Sequence, residues 1–354
     1  MSEPVDITRP LIDLTRVEME ELLTQLGRRP FHGRQIHAWI HRKSVTEFDE
    51  MTDLSKDLRT LLKEKLRVGI PKVLEAATGE TKTTATKFLY ELHDGERVET
   101  VLIPSEDRVT VCLSSQVGCA FACTFCATGL LGLKRSMTAG EMIGTFIAIR
   151  QKTDLPITNV VFMGMGEPLA NLTEVMKAWK ILTDPDGIAL SKRKVTISTV
   201  GLPSKIRELA KYPHPPKLVF SIASPHEGER KKLLPVAGRF SLADNHDALM
   251  EYSRATKHRI TVALLVAKGL NDSDKDVIAL HRWLGDLPSK INLLRYNEAA
   301  GNFRRADEES LERVAAKFAS LGRTVIRRQS RGRDVSAACG QLAARSLNIE
   351  GVRG

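Results

Sequence analysis

Only five cysteines occur in 354 residues, and three of them crowd into eight positions, so the chain lacks the evenly spread cysteines that staple small secreted domains. Long apolar runs are missing too: none approaches the roughly 20 residues needed to span a bilayer. The opening stretch, 1–10, is polar and acidic rather than basic then apolar, which argues against an export signal and leads us to expect a cytoplasmic protein with no membrane partner. Low-complexity tracts and internal repeats are absent. There is no acidic excess either. Lys plus Arg number 53 against 43 Asp plus Glu, giving a net charge of +10, which favours a polyanionic partner through phosphate neutralisation. On charge alone, surplus lysine that merely keeps the protein soluble explains the balance equally well. With 42% hydrophobic and 27% charged residues, the chain can bury a large core in one or two domains.

Helical periodicity marks 17–26, 33–43 and 54–66, which predicts a small helical unit at the front. In its middle helix, Ile36, Trp39 and Ile40 share one face, and Arg34, Arg42 and Lys43 lie largely on the others, as a solvated surface or an RNA-backbone contact. Strand alternation follows over 87–92 and 97–103 across a Gly95 turn, predicting a β-hairpin. Short apolar strands are then expected at 109–113, 159–163, 194–199, 217–222, 260–267 and 290–294. Helices at 138–151, 172–182, 243–256 and 273–284 are expected between them. About six β-then-α units imply a parallel sheet with crossover helices, either doubly wound or barrel-like.

Directly after the first of these strands comes Cys119-Ala-Phe-Ala-Cys123-Thr-Phe-Cys126. Three closely spaced thiolates can hold three irons of a [4Fe–4S] cube, leaving the fourth iron open to an external ligand such as the amino and carboxylate groups of S-adenosylmethionine (SAM). Two other readings compete. A structural zinc site needs a fourth ligand that the local sequence does not supply, and buried inert cysteines do not normally cluster on a loop of this kind.

The surrounding words, Ser114-Ser-Gln-Val-Gly-Cys119, Cys126-Ala-Thr-Gly129, Gly164-Met-Gly-Glu-Pro168 and Ala337-Ala-Cys-Gly-Gln-Leu342, resemble the radical-SAM rRNA/tRNA adenine-C2 methyltransferase family. The resemblance extends to Phe31-His-Gly-Arg-Gln-Ile36 and Phe48-Asp-Glu-Met51, and so covers nearly the whole chain. It implies an α/β fold: a partial (β/α)6 barrel behind a helical RNA-binding domain. The expected division is 1–75 for the helical domain, 76–104 for a linker and the β-hairpin, and 105–345 for the barrel with a C-terminal cysteine loop. It further implies a [4Fe–4S] cluster on Cys119, Cys123 and Cys126, two SAM molecules per turnover, an RNA partner (23S rRNA, tRNA or both) and an electron donor such as flavodoxin or ferredoxin. The SAM contacts carried over are Gly166, Glu167, Ser198, Ser221, Ala223 and Asn297. Two positions depart from the family pattern. Ala223 in Ser221-Ile-Ala-Ser224 stands where the family has His, and Glu298 follows Asn297 where Pro is usual. A related activity, methylation at adenine C8 or another radical-SAM modification of RNA, is therefore the main alternative, with a non-catalytic zinc-stabilised RNA-binding protein a more distant one.

Adenine C2 lies between two ring nitrogens and is too electron-poor to attack the methyl of SAM, so a radical route is needed. The resemblance implies that Cys339 first accepts a methyl group, which requires a thiolate. That carbon is then added to C2, and Cys112 resolves the tether through a transient disulfide after Glu99 accepts the C2 proton. Without the family match, Cys112 within Val109-Thr-Val-Cys-Leu113 is an ordinary buried strand residue and Glu99 a solvated one. Cys339 alone is unusual by itself, since it follows the charged Arg331-Gly-Arg-Asp334 on an expected loop.

Overall fold

The strand order of the central sheet is Lys72–Thr78, Thr86–Glu91, Arg97–Ser105, Arg108–Leu113, Asn159–Phe162, Val195–Thr199, Lys217–Ser221, Ile260–Lys268, Ser289–Arg295, Val325–Arg328, with Arg304–Arg305 paired to Ile260–Lys268 off this path. This computed structural model describes residues 4–79, 85–297, 299, 301, 303–328, 332 and 335–343. The first three junctions are antiparallel, and every later one on the path is parallel. Each parallel junction requires a crossover. Helices supply it at Ala139–Arg150, Leu172–Thr183, Pro203–Ala210, Leu242–Thr256, Asp274–Leu284 and Glu308–Ser320. Residues from Arg108–Leu113 and from the far strand Val325–Arg328 line one cavity, so the parallel block curves round on itself, yet its edge strands do not pair. The result is a partial barrel, open on one side. No helix of the described residues is long and apolar enough to cross a membrane.

The periodicity located these elements well where a cap or an apolar strand marked them. Thr138 and Glu141 form a capping box that starts Ala139–Arg150, and Ser273 with Asp276 does the same for Asp274–Leu284. The hairpin is present, but it belongs to a four-stranded antiparallel flank. Its outer strand, Lys72–Thr78, is half-exposed along its length and shows no alternation to read. The middle helix starts earlier than its pattern suggested, at Pro30, a favourable first helical residue, and after His37 it loosens into a π-helical turn, Ala38–Arg42.

The front helices are not a free-standing unit. Leu11, Met19, Leu22, Ile36 and Ile40 belong to the same buried cluster as the barrel residues Ile143, Ile147 and Phe162. Asp13 Oδ1 accepts from the Gly140 amide at 2.6 Å, and the Arg150 guanidinium donates to the His41 carbonyl at 2.8 Å. Of the basic trio in the middle helix, Arg34 lies 3.8 Å from Glu20 and the Lys43 ammonium covers the Trp39 ring at 3.3 Å. Two of the three therefore have structural partners.

His37 and His41 lie within this shared core, with ring centroids 4.4 Å apart; neither ring nitrogen of His37 has a hydrogen-bond partner, and the His41 ring has only the Leu14 backbone beside it to favour its charge. Burial holds the His37 imidazole down at about 4, against a partial upward pull from Asp184, and pushes His41 well down as well. Both stay neutral in the fold. Below pH 6.5 the unfolded chain takes up protons that the folded chain refuses, so stability present above that pH is lost as pH falls towards 4. Urea titrations between pH 7 and 4.5 should show this loss, and His37→Gln should make its pH dependence shallower. An unchanged slope in that variant would remove His37 as its source.

Candidate active site at the ends of the parallel strands

The loop carrying the cysteine triplet follows Arg108–Leu113 and a short strand, Gln116–Gly118, and its turns are set by close backbone approach. A Cβ at Gly129 would come within 2.9 Å of the Cys123 amide, so this loop can fold back on itself only with glycine there. Cys119, Cys123 and Cys126 all line a cavity of about 180 Å³ at the C-terminal ends of the strands. Burial pushes the Cys119 thiol up to about 11 and Cys123 higher still, with the neighbouring cysteines adding to the effect on Cys123. Such thiols ionise readily only when a metal centre replaces their protons. Among the described residues, no group of three or more His, Cys, Asp or Glu is arranged as a single-ion site. Three soft donors from one loop on one cavity rim suit a cube ligated at three corners, while the fourth thiol on that cavity, Cys339, comes from a separate segment.

Opposite the triplet, Gly166 has φ +97°, and a Cβ there would lie 2.6 Å from the Gln116 side chain. Glu167 follows, almost fully buried; its carboxylate accepts from the amides of Leu169 and Val200, both at 3.0 Å. Burial nonetheless pushes it up to about 7, which makes it a ready partner for a cation brought into the cavity. Ser198 and Ser221 face the same cavity with hydroxyls 3.3 Å apart. Ala223 also lines it and holds φ +61°, an uncommon conformation for a residue with a Cβ, with its carbonyl accepting from Asn271 at 2.8 Å. Asn297 behaves differently. It is not among the cavity-lining residues; its amide nitrogen donates to the Cys339 carbonyl at 3.3 Å, and its Oδ1 is buried without a partner.

The C-terminal segment is tied to the cluster loop by two bonds. The Ala127 amide donates to the Gly340 carbonyl at 2.8 Å and the Thr128 hydroxyl to the Leu342 carbonyl at 2.6 Å. The Ala343 amide donates to Glu99 Oε2 at 2.9 Å. Glu99 is therefore no solvated residue: it is 1% exposed and paired with Lys87 at 2.9 Å. Its strand pairs Val101 with Cys112, which places Glu99 and Cys112 on one face of the sheet. Burial pushes the Cys112 thiol up to about 12, while Arg328 pulls it the other way. Cys339, exposed, lines the cavity beside the triplet and also a second one that Cys112 lines. All five cysteines are free thiols, so a disulfide between Cys112 and Cys339 is not part of the fold. Residues 298, 331, 333 and 334, to which the sequence drew attention, lie outside the described residues.

One neighbour carried no signal in the sequence. Arg230 lies in Glu227-Gly-Glu-Arg-Lys-Lys-Leu233, which looks like a solvated helix, yet it is fully buried and donates to the carbonyls of Val200 at 2.8 Å and Phe240 at 3.0 Å. Burial lowers its guanidinium, with Glu227 and Cys123 pulling the other way.

A partial barrel with three thiols on the loop after its first parallel strand is the frame of a radical SAM enzyme, and residues 113–281 match the Radical SAM superfamily. Residues 10–68 match the ribosomal RNA large subunit methyltransferase N-terminal domain. The chain is 40% identical to the dual-specificity RNA methyltransferase RlmN of Geobacter sulfurreducens over 97% of its own length and 93% of the relative's. It is 38% identical to RlmN 2 of Myxococcus xanthus over 98% and 94%. A crystal structure of a radical SAM methyltransferase from Sphaerobacter thermophilus superposes with a TM-score of 0.91 at 37% identity, covering 95% of this chain and 99% of that one. The chain belongs to the RlmN family of dual-specificity RNA methyltransferases.

Proposed function

We propose that this enzyme methylates C2 of an adenine in 23S rRNA, tRNA or both, in the cytoplasm, with Cys339 as methyl carrier, Cys112 as resolving thiol and Glu99 as proton acceptor. The observation that carries this reading is the anchoring of the Cys339 segment to the cluster loop at Ala127 and Thr128 and to Glu99 at Ala343. The cysteine triplet and Cys339 thereby share one cavity, and Glu99 lies behind the Cys339 segment at Ala343. Cys119, Cys123 and Cys126 would hold a [4Fe–4S] cluster, and Gly166, Glu167, Ser198, Ser221 and Ala223 would receive SAM, the Glu167 carboxylate meeting its ammonium group. When bound, cluster and SAM supply the electron and the organic radical that make a methyl group reactive towards an electron-poor carbon.

The chain's own residues do the remaining work. Cys339 Sγ, having lost its thiol proton, attacks the methyl carbon of a first SAM: a sulfur–carbon bond forms as the methyl–sulfonium bond breaks, and S-adenosylhomocysteine leaves. Asn297, through the Cys339 carbonyl, keeps that thiol over the junction of the two cavities. Glu99 Oε2 takes the C2 proton when its contact with the Ala343 amide loosens; the Cys112 thiolate then attacks Cys339 Sγ, the bond from that sulfur to the product carbon breaks, the carbon takes up a proton, and the Cys112–Cys339 disulfide so formed is reopened by a two-electron thiol reductant. The front helices would contribute to RNA binding, and a flavodoxin- or ferredoxin-like protein would supply electrons. A second reading, methylation at C8, draws on Ala223, where the family has an imidazole. Reaction with RNA carrying deuterium at adenine C2 or C8, followed by nucleoside mass spectrometry, separates the two. Label should be lost from C2; loss from C8 would overturn the reading.

A further inference from the structure

We infer that the target adenosine reaches the cysteines through the N-terminal mouth of the barrel, where Lys217 and Lys290, with Arg108, hold the phosphates that flank it. The inference rests on the function proposed above and adds the direction of entry and the residues that grip the backbone.

It follows from the order of groups along the strands. Side chains alternate across a strand, so one face of Lys217–Ser221 carries Lys217, Val219 and Ser221, and one face of Ser289–Arg295 carries Lys290, Asn292 and Leu294. Those residues line the inside of the barrel, with Ser221 at the C-terminal end beside the cysteine triplet and both lysines at the opposite end. The cavity beside the triplet, about 180 Å³, contains every cluster cysteine and Glu167 but not Cys112. A second cavity, about 480 Å³, contains Cys112 and opens among the strands' first residues. Cys339 and Val219 line both, so the two volumes adjoin at the methyl-carrying thiol. SAM held by the residues of the upper cavity would close that approach. The larger volume below is left for the substrate, and its size falls in the range of small-molecule pockets, large enough for a nucleoside turned out of its stack.

The chemistry of the lower cavity suits an anion. Its lining has Thr110, Asn159, Thr196 and Thr261 as neutral hydrogen-bonding groups, and no carboxylate among the described residues. Lys217, Lys290 and Arg108 form no described ion pair, whereas Arg327 nearby is matched by Glu308 and Glu312. Burial, then Lys290, Lys194 and Arg193, lower the Lys217 ammonium, so the positive charges at this mouth feel one another. A phosphodiester bound between the two lysines would relieve that repulsion. The basic face of the front helix is weaker as a grip, because Arg34 and Lys43 are engaged within the protein.

The test compares two charge reversals in the anaerobically reconstituted enzyme, binding bulk tRNA and protein-free 23S rRNA across a salt series. Lys217→Glu/Lys290→Glu should weaken binding at least about tenfold and lower the logarithmic salt slope by about 1 to 2, as expected for two lost phosphate contacts. Lys217→Arg/Lys290→Arg should bind like wild type. Arg34→Glu/Arg42→Glu/Lys43→Glu should lose less than the mouth variant. Iron content and the circular-dichroism melt report folding, and Lys217→Gln/Lys290→Gln replaces the reversal if that variant does not fold. Wild-type affinity and slope in the mouth variants, or a loss confined to the front-helix variant, would overturn the inference. A wild-type enzyme that methylates neither RNA would instead overturn the function on which it rests.

Discussion

Cys112→Ala should accumulate a covalent protein–RNA adduct that survives denaturation, and Cys339→Ala should not. The structure makes this contrast sharp, because the two thiols occupy different places on one passage. Cys339 is exposed and adjoins the cavity assigned to SAM, whereas Cys112 is buried on a strand and faces only the lower cavity. The first therefore meets the methyl donor, and the second meets only what is already attached to the first. With Cys112 gone, methyl transfer to Cys339 and its joining to adenine should proceed and release should stop, so turnover falls to about one adduct per enzyme or less, visible as a slow-migrating band in denaturing gels. With Cys339 gone, neither methylated protein nor methylated RNA should form, and the double variant should show no adduct. Normal turnover by Cys112→Ala, or adduct in Cys339→Ala, would reverse or void these roles.

Replacing any one of Cys119, Cys123 or Cys126 by Ala should abolish the brown chromophore, bring iron to background and end SAM cleavage. Two thiols cannot hold a cube and leave one iron free for SAM. The loss should be complete rather than graded, because Cys123 packs against Leu233, Leu234 and Ala237, and the fourth thiol on that cavity, Cys339, is held on another segment by the bonds at Ala127 and Thr128. The melting profile should change little, since the core cluster that ties barrel and front helices together does not run through the triplet. Iron retention with continued SAM cleavage in any of the three variants would remove the cluster from these residues.

Much of this was legible in the chain alone, for identifiable reasons. The triplet is local: C-x3-C-x2-C is a statement about neighbours, and no fold is needed to see three thiols on one loop. The parallel sheet was legible because buried strands are short apolar runs and capped helices carry Thr138/Glu141 or Ser273/Asp276 signatures. What the sequence could not show is whatever depends on separation. Glu99 looked like a surface carboxylate because its partners, Lys87 and the Ala343 amide, come from another strand and from 244 residues downstream. Arg230 looked like one charge among several on a solvated helix, and only the turn of that helix against Val200 and Phe240 buries it. Lys217 and Lys290 were the first residues of two unremarkable strands until the sheet curved and brought both to one mouth. Composition and short-range pattern thus determined the class of chemistry, and tertiary structure alone decided which distant side chains serve it, because burial and electrostatic proximity are properties of neighbours in space.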